Sequence, residues 1–165
     1  MKLSNSEIMK KLDLLYDEKA ELTSNESNNN HITYATAVDK KIALDGNDYN
    51  YKNVTKRIAE IDSEVIMLKG KLAVANATVI VPGYNLTIGQ CLVKLGQINE
   101  GIRRYDRLRS TKQTYSTVYN TGSISYTEYL HDVNDAKKKY NELCNEKAAL
   151  QVAIDKINLL NEIEL

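Results

Sequence analysis

Residues 76–97, NATVIVPGYNLTIGQCLVKLGQ, contain the only proline of the chain and separate two segments with strong helical periodicity. Pro82 presets the backbone for the second position of a turn, and Gly83 tolerates the positive φ that a type II turn requires next. The preceding run, TVIV at 78–81, is β-branched, and the residue before a proline favours extended geometry. The stretch therefore predicts that a helix ends near residue 77, that a turn follows, and that two long helices fold back on each other.

The segment before this turn has the most regular apolar pattern in the chain. Its apolar residues keep four-three spacing over three heptads: Val54, Ile58, Ile61, Val65, Leu68, Leu72 and Ala75. Such spacing predicts a helix over about 52–77 with a coiled-coil-like seam, capped by Asn50 or Asn53.

The segment after the turn repeats the same spacing. Asn85 or Thr87 is the expected cap of a helix over about 86–110, with a seam of Ile88, Cys91, Leu95, Ile98, Ile102 and Tyr105. Gly89 and Gly96 lie seven residues apart and therefore on one face. Because glycine weakens a helix by about 1 kcal/mol relative to alanine, either a neighbouring backbone approaches closely here or the glycines are merely tolerated.

Two further helices are expected near the ends of the sequence. Ser4-Asn5-Ser6-Glu7 fits a capping box, which predicts a helix over about 5–23 with Ile8, Leu12, Leu15 and Leu22 on its apolar side. Asp132 is the expected cap of a helix over about 132–160. Its seam consists of Val133, Ala136, Tyr140, Leu143, Leu150, Ile154 and Ile157.

The connecting segments are polar or extended. The run SNESNNN at 24–30 is predicted to be a loop. Alternating residues from Ile32 to Val38 and the turn signal Asp45-Gly46-Asn47 indicate a short hairpin, whereas residues 112–125 are predicted to be a loop. Extended segments at about 78–81, 123–130 and 161–165 are expected to pair beside the turn.

These elements together predict a mainly α, antiparallel helical bundle with coiled-coil-like long helices and a small β element near the hinge. One helical domain is expected over 1–165, with 24–50 as a loop-rich insertion. Burying the seams alone does not offset the entropy of ordering the helices. Apolar residues off the seams must therefore be covered in a wider core or against another subunit: Met9, Leu14, Ile66, Met67, Leu92, Val93, Val152 and Leu159.

Composition narrows the class of protein. The formal net charge is zero, so no overall field favours nucleic acid or an acidic substrate. The N-terminus lacks the uninterrupted apolar stretch of a secretory signal, and no run is long enough to span a membrane. Cys91 and Cys144 lack C-x-x-C spacing and are predicted to be reduced core residues. These features predict a cytoplasmic protein.

Several motifs resemble those of a septicolysin-like family of small bacterial helical proteins. They are Asn76-Ala77-Thr78, the segment from Pro82 to Ile88 with Leu92, Tyr129 with Asp132-Val133, and the terminal Glu162-Ile163-Glu164-Leu165. The resemblance covers roughly residues 50–165 and concerns turns and helix caps. It implies a helical fold and supplies no catalytic residue. The name of the family implies membrane lysis, a role that this sequence does not support.

A basic cluster is the most suggestive candidate for a binding site. It consists of Arg103, Arg104, Arg107, Arg109 and Lys112, near the expected end of the third helix. These cations could neutralise phosphates of nucleic acid or another anion, while Tyr105, Tyr115 and Tyr119 could stack on bases. The competing interpretation is structural, because the helix dipole favours cations at a C-terminus.

Other candidate chemistry is weaker. His31 and His131 have no second ligand at metal-binding spacing, and Lys137-Lys138-Lys139 would point in different directions on a helix. Cys91 and Cys144 have no base to activate them, and phosphate-binding, dinucleotide-binding or hydrolase motifs do not occur. We therefore predict no enzyme activity and no cofactor. The primary hypothesis is an interaction or structural protein that forms homo-oligomers through helical faces. Anion or nucleic-acid binding and membrane lysis are the alternatives.

Overall fold

The structure, a computed structural model, describes residues 2–37, 40–43, 49–112, 114–117 and 124–164. Within these residues the protein is mainly α-helical, with four long helices and short two-stranded sheets, which confirms the predicted fold class. In chain order the elements are β1 (Lys2–Ser4), α1 (Asn5–Asn29), β2 (Tyr34–Ala37), β3 (Lys40–Ala43), α2 (Tyr51–Thr78), β4 (Ile80–Val81), β5 (Leu86–Thr87), α3 (Ile88–Arg109), β6 (Thr114–Thr117), β7 (Ile124–Thr127), α4 (Val133–Leu160) and β8 (Glu162–Glu164).

The chain divides into two compact units. One consists of Met1–Ala75 with Asn158–Leu165, and the other of Asn76–Ile157. The division falls near the C-terminal ends of α2 and α4, so each unit contains two helices and the β-hairpin between them. The single domain expected from the sequence stays a prediction.

In the first unit α1 and α2 pack antiparallel around one apolar cluster. Ion pairs fix the direction, because Lys11 pairs with Glu64, whereas Glu18, later in α1, pairs with Arg57, earlier in α2. The cluster consists of predicted seam residues, with Leu3 and Ile163 from the two strands at one end: Ile8, Leu12, Leu15, Leu22, Ile61, Val65, Leu68 and Leu72.

In the second unit α3 and α4 also pack antiparallel. Lys94 lies 2.8 Å from Glu146, and Arg109, later in α3, lies over the ring of Tyr140, earlier in α4. The cluster is formed by Val81, Ile88, Cys91, Ile98, Leu150 and Ile154, with Leu95, Ile102, Leu143 and Ile157 packed against it.

All the seam residues proposed from the sequence are buried or half-buried, which confirms the heptad patterns. Each core joins the helices on either side of a β-hairpin. Neither core contains residues of both α2 and α3. The packing of α2 on α3 that we expected from the turn at Pro82 is therefore part of neither core.

The turn at Pro82 has the predicted geometry. The backbone N–H of Tyr84 donates to the carbonyl of Val81 at 3.2 Å, and Gly83 has a φ of 84°. Positive φ at the third position is the mark of a type II turn. The flanking residues then pair as β4 and β5, with Val81 opposite Leu86.

The first and third helices both begin with a capping box. The Ser4 hydroxyl accepts from the backbone N–H of Glu7 at 3.2 Å, and the Glu7 carboxylate accepts from the Ser4 N–H at 2.7 Å. Thr87 and Gln90 make the same reciprocal pair at 3.2 and 2.9 Å. Both capping positions agree with the sequence analysis, and Thr87, rather than Asn85, is the cap of α3.

The second and fourth helices are capped by single side chains. Asn50 accepts from the N–H of Asn53 at 3.1 Å, and Asp132 accepts from the N–H of Asn134 at 2.7 Å. Asn50 is therefore the cap of α2, and the predicted role of Asp132 is confirmed.

The end of the first helix was predicted wrongly. Residues 24–29, expected to be loop, are the last turns of α1. Hydroxyl groups support this extension by donating to carbonyls one turn earlier, from Thr23 to Lys19 at 2.7 Å and from Ser27 to Thr23 at 3.0 Å. Tyr49 also donates to Glu26 at 2.8 Å. No glycine or proline interrupts the segment, and the helix continues through it despite its polar composition.

The strand pairing also differs from expectation. A hairpin is present in the predicted segment, but both of its strands precede the expected turn at 45–47, with Ala37 opposite Lys40. Residues 45–47 lie outside the described residues. Residues 114–117, predicted as loop, form β6 and pair with β7. The expected extended segments do not pair with one another: β4 pairs with β5, and β8 pairs with β1. The partner strands, β5 and β1, directly precede α3 and α1. We did not expect strands at these positions from the sequence.

The described elements occur in a repeated order. The order β1-α1-β2-β3-α2-β4 is followed by β5-α3-β6-β7-α4-β8. Backbone contacts repeat as well, since the N–H of Asn5 donates to Asn161 at 3.3 Å and the N–H of Ile88 donates to Val79 at 3.0 Å. In each case the first residue of one helix donates to the residue that directly follows another helix: Asn161 follows α4, and Val79 follows α2. The two halves therefore use one local solution twice.

Candidate functional site

The basic cluster lies on the last two turns of α3 and just beyond its end. Arg103, Arg104, Arg107 and Lys112 are exposed, whereas Arg109 is half-buried. Helical spacing places Arg103 and Arg107 on one face, as the sequence indicated. The five cations are thus close in the chain, but only part of the set is presented to solvent together.

Arg109 has a structural role in holding α3 against α4. Its Nε and Nη2 atoms donate to Oδ1 of Asp106 at 2.9 and 2.6 Å. Its guanidinium carbon lies 3.8 Å from the centre of the Tyr140 ring, within the range of a cation–π contact. The hydrogen bond with Asp106 raises the pKa of Arg109 further. These contacts make Arg109 less available to an external anion.

A shallow groove runs beside the exposed arginines. It has a volume of about 570 Å³ and is lined by Glu100, Arg103, Asp106 and Arg107. Two carboxylates therefore alternate with two guanidinium groups along its wall. Such a lining attracts an anion less than the arginines alone would, because the two carboxylates repel it.

Side chains already satisfy the carbonyl groups at the end of α3. The Ser110 hydroxyl donates to Asp106 at 2.7 Å, and the Thr111 hydroxyl donates to Leu108 at 2.8 Å. Nε2 of His131 lies 2.9 Å from the same Leu108 oxygen and 3.0 Å from the Thr111 hydroxyl. His131 thus ties the start of α4 to the end of α3, a function that explains its position without a metal.

The tyrosines proposed as stacking platforms are only partly described. The guanidinium of Arg104 lies 5.4 Å from the centre of the half-buried Tyr105 ring. The side chain of Tyr115 and all of Tyr119 lie outside the described part of the structure. The stacking hypothesis therefore rests on Tyr105 alone among the three.

The two cysteines are free thiols in different surroundings. Cys91 is fully buried in the core of the second unit, and burial raises the pKa of its thiol. Cys144 is half-buried beside the core residue Leu143, and its contact with Tyr140 raises the pKa of that phenol. A raised thiol pKa disfavours the nucleophilic thiolate, so Cys91 has the character of a packing residue.

The described residues contain neither a metal-binding cluster nor a membrane-spanning helix. No three His, Cys, Asp or Glu side chains converge there as a metal site would require. Within the same residues, no helix is both long and apolar enough to cross a membrane. Lys137, Lys138 and Lys139 are all exposed, and Lys139 lies 3.1 Å from Glu142 of its own helix.

A different surface feature is more pronounced than the basic cluster. All the off-seam apolar residues that the sequence analysis required to be covered are exposed, with fractions from 41% at Met9 to 74% at Ile66. Val74, which the analysis did not single out, is 64% exposed on the same helix as Ile66. The expectation that a wider core covers these residues is therefore wrong for the described part of the chain.

Comparisons with known proteins identify a protein of similar fold but supply no activity or ligand. No protein-family model and no curated protein sequence matches the chain. Among solved structures it is similar to a functionally unknown conserved protein from Corynebacterium diphtheriae, with a TM-score of 0.68 and 15% sequence identity. The similarity covers 99% of this chain and 100% of that one. At this level of identity it shows a shared fold over nearly the whole length of both chains.

Proposed function

We propose that this protein is a non-enzymatic interaction or structural protein that associates with itself through the outer faces of its helices. The supporting observation is the exposure of apolar side chains that the two cores leave uncovered. Leu14, Ile66, Val93 and Val152 are each more than 60% exposed. These four lie on four different helices, and scattered exposed apolar residues are ordinary. On α2, however, Ile66 and Met67 are neighbours that are 74% and 44% exposed, and adjacent exposed apolar residues are typical of an interaction surface.

The cores themselves explain why such faces are needed. Each unit has one narrow apolar cluster between two helices, built from residues a heptad apart. Two-helix contacts of this kind bury one side of each helix and leave the opposite side in water. Self-association would cover that opposite side and add the apolar burial that the sequence analysis found necessary.

Light scattering coupled to size-exclusion chromatography tests the proposal. The expected result is a mass above that of one chain, increasing with protein concentration. A strict monomer at tens of micromolar would remove the proposal's main support. A cytoplasmic location is part of the same proposal and is supported by the free thiols of Cys91 and Cys144.

Anion or nucleic-acid binding by the basic cluster is the second candidate. It is favoured by the exposed positions of Arg103, Arg104 and Arg107, and opposed by Glu100 and Asp106 in the same groove. A labelled mixed oligonucleotide should bind with salt-dependent affinity if the cluster acts on phosphates. No binding at low salt would end this candidate. Membership of the septicolysin-like family, and the lysis that its name implies, stay predictions that dye release from liposomes tests.

A further inference from the structure

The second helix, α2, has an uncharged stripe on the side opposite its core seam. Its members repeat every seven residues along three lines: Ala59, Ile66 and Ala73, then Ser63 and Gly70, then Met67 and Val74. All of them are exposed, Ile66 by 74% and Val74 by 64%. The core residues Ile61 and Leu68 lie about half a helical turn away and are fully buried. Thus α2 has a core seam on one side and an exposed, uncharged stripe on the other.

The exposed stripe has the pattern of a second coiled-coil seam. Seven-residue spacing keeps a stripe on one face of a helix, which lets it pack along another helix. From Ala59 to Val74 the stripe is about 22 Å long at about 1.5 Å per residue. Gly70 lies on this face, and a Cβ added there would meet nothing within 4 Å. The small residues would allow a second helix to approach closely.

Charged residues on both borders of the stripe indicate which helix fits. Glu60 and Lys71 lie on one border, and Asp62 and Lys69 lie on the other. Along the sequence, the midpoint of each pair falls between Val65 and Ile66. If a second copy of α2 packs antiparallel so that its Ile66 meets the first Ile66, each carboxylate therefore comes opposite a lysine of the other copy.

The alternative orientation lacks this complementarity. In a parallel pair the acidic turn at 60–64 would lie beside the same acidic turn of the other copy, and like charges destabilise such contacts. Bordering charges contribute little affinity but select orientation and register. An antiparallel contact is also isologous, so the same patch serves both copies.

Of the four bordering residues, Glu60 and Lys69 are exposed, whereas Asp62 and Lys71 are half-buried. The side chains of Glu60 and Asp62 are 50% and 49% exposed while they contact Lys56 and Lys19 of their own chain. Lys69 lies 5.1 Å from the centre of the Tyr16 ring, and Lys71 donates to the carbonyl of Glu164. These contacts place the four charges at the edges of the stripe, and Ile66 at its centre is 74% exposed.

We propose that α2 packs antiparallel against α2 of a second copy of this chain, in a two-fold contact centred on Ile66. The contact rests on the proposed self-association and specifies its surface, its partner and its direction. Each copy supplies the Ile66–Met67–Val74 surface to the other. Glu60 meets Lys71 of the second copy, and Asp62 meets Lys69 of the second copy.

The first test replaces the central residue and compares it with an exposed position elsewhere. Ile66→Lys should weaken self-association about tenfold or more, because it places two ammonium groups against each other in an apolar contact. Leu130→Lys, at a fully exposed position outside the four helices, should leave the association constant unchanged. Sedimentation equilibrium measures the constants, and circular dichroism verifies that each variant is folded.

The second test exchanges charges. Glu60→Lys alone and Lys71→Glu alone should each weaken association, whereas the double variant should recover it, because each copy again presents opposite charges to the other. Recovery distinguishes an intermolecular contact from a loss of local structure, since the double variant lacks both original side chains.

The third test measures direction. A spin label at Lys52→Cys, in a Cys144→Ser background, should report about 40 Å between copies in the antiparallel pair, against about 10 Å in a parallel one. A short distance would overturn the proposal. Association that Ile66→Lys does not affect would overturn it and leave the proposed function standing, whereas a monomeric wild-type protein would remove both.

Discussion

Two glycines of α3 show how much depends on single positions. Sequence spacing placed Gly89 and Gly96 on one face and offered two explanations for them. A Cβ on Gly89 would lie 3.1 Å from the backbone oxygen of Asn76, so this glycine permits a close backbone approach. A Cβ on Gly96 would meet nothing within 4 Å, so that glycine is merely tolerated. Each explanation therefore holds at one site.

Alanine at these positions should have opposite effects. Gly96→Ala should raise the free energy of unfolding by about 0.5–1 kcal/mol, because it restores helix propensity without a clash. Gly89→Ala should give no gain or a loss, since a backbone oxygen cannot move aside as a side chain can. Urea denaturation of both variants measures the difference, and equal gains would contradict the close approach at Gly89.

The ion pair between Glu18 and Arg57 gives a pH-dependent contribution to stability. Two hydrogen bonds from Arg57, of 2.7 and 2.8 Å, hold the pKa of Glu18 below its ordinary range. A carboxylate with a lowered folded-state pKa stabilises the protein above its unfolded pKa of about 4.3, and the contribution is lost as the pH falls through the folded value.

Glu18→Gln should therefore reduce stability near neutral pH more than in acid. The gap in unfolding midpoint between wild type and this variant should be widest near about pH 6 and close below about pH 4. Glu21→Gln, at an exposed position of the same helix, is the control and should show a smaller gap at neutral pH. A gap for Glu18→Gln that does not change with pH would contradict this role of the pair.

At the scale of elements, apolar spacing and capping residues were sufficient to locate the helices. Ser4, Thr87 and Asp132 marked helix starts. A side-chain acceptor at these positions binds backbone N–H groups of the first turn, which have no partner within the helix. The end of α1 was missed, since Thr23 and Ser27 satisfy carbonyls inside the helix, and composition alone does not distinguish this from a loop. The strand partners were missed because pairing depends on contacts distant in sequence, such as Leu3 with Ile163.

The candidate site shows the same limit. Sequence identified all five cations of the basic cluster, and the i, i+3 spacing of Asp106 and Arg109 was a signal that could have been used. The position of Tyr140 under Arg109 could not be inferred, because it depends on how α4 packs on α3. The outer stripe of α2 was also readable from heptad spacing, but the stronger core seam on the same helix obscured it.

Residues on the two sides of one helix should respond differently to the same truncation. Leu150 is fully buried in the second core, whereas Val152, two residues later, is 66% exposed. Leu150→Ala should lower the free energy of unfolding by about 2–5 kcal/mol through lost burial and a cavity. Val152→Ala should change it by about 0.5 kcal/mol or less. Denaturant unfolding at low protein concentration checks both, and similar losses would contradict the assigned face of α4.

At the scale of the whole molecule, the dominant feature is the repeated element order. Each half contributes a strand, a helix, a hairpin, a second helix and a closing strand. We did not predict this repeat from the sequence, because few residues are shared between equivalent positions of the two halves. The Ser4-to-Glu7 and Thr87-to-Gln90 boxes, which start equivalent helices, were the clearest signal of it.

The pairing of β1 with β8 has a consequence for how the chain can be rewired. Lys2 stands opposite Glu164, and paired residues in antiparallel strands lie about 5 Å apart, so a short peptide could join these ends. Opening the chain between Pro82 and Gly83 would then yield a circular permutant in which the second half is translated first. It should fold to the same helical content by circular dichroism with a modestly lower melting temperature, and a permutant that fails to fold would show that the turn at Pro82 is indispensable.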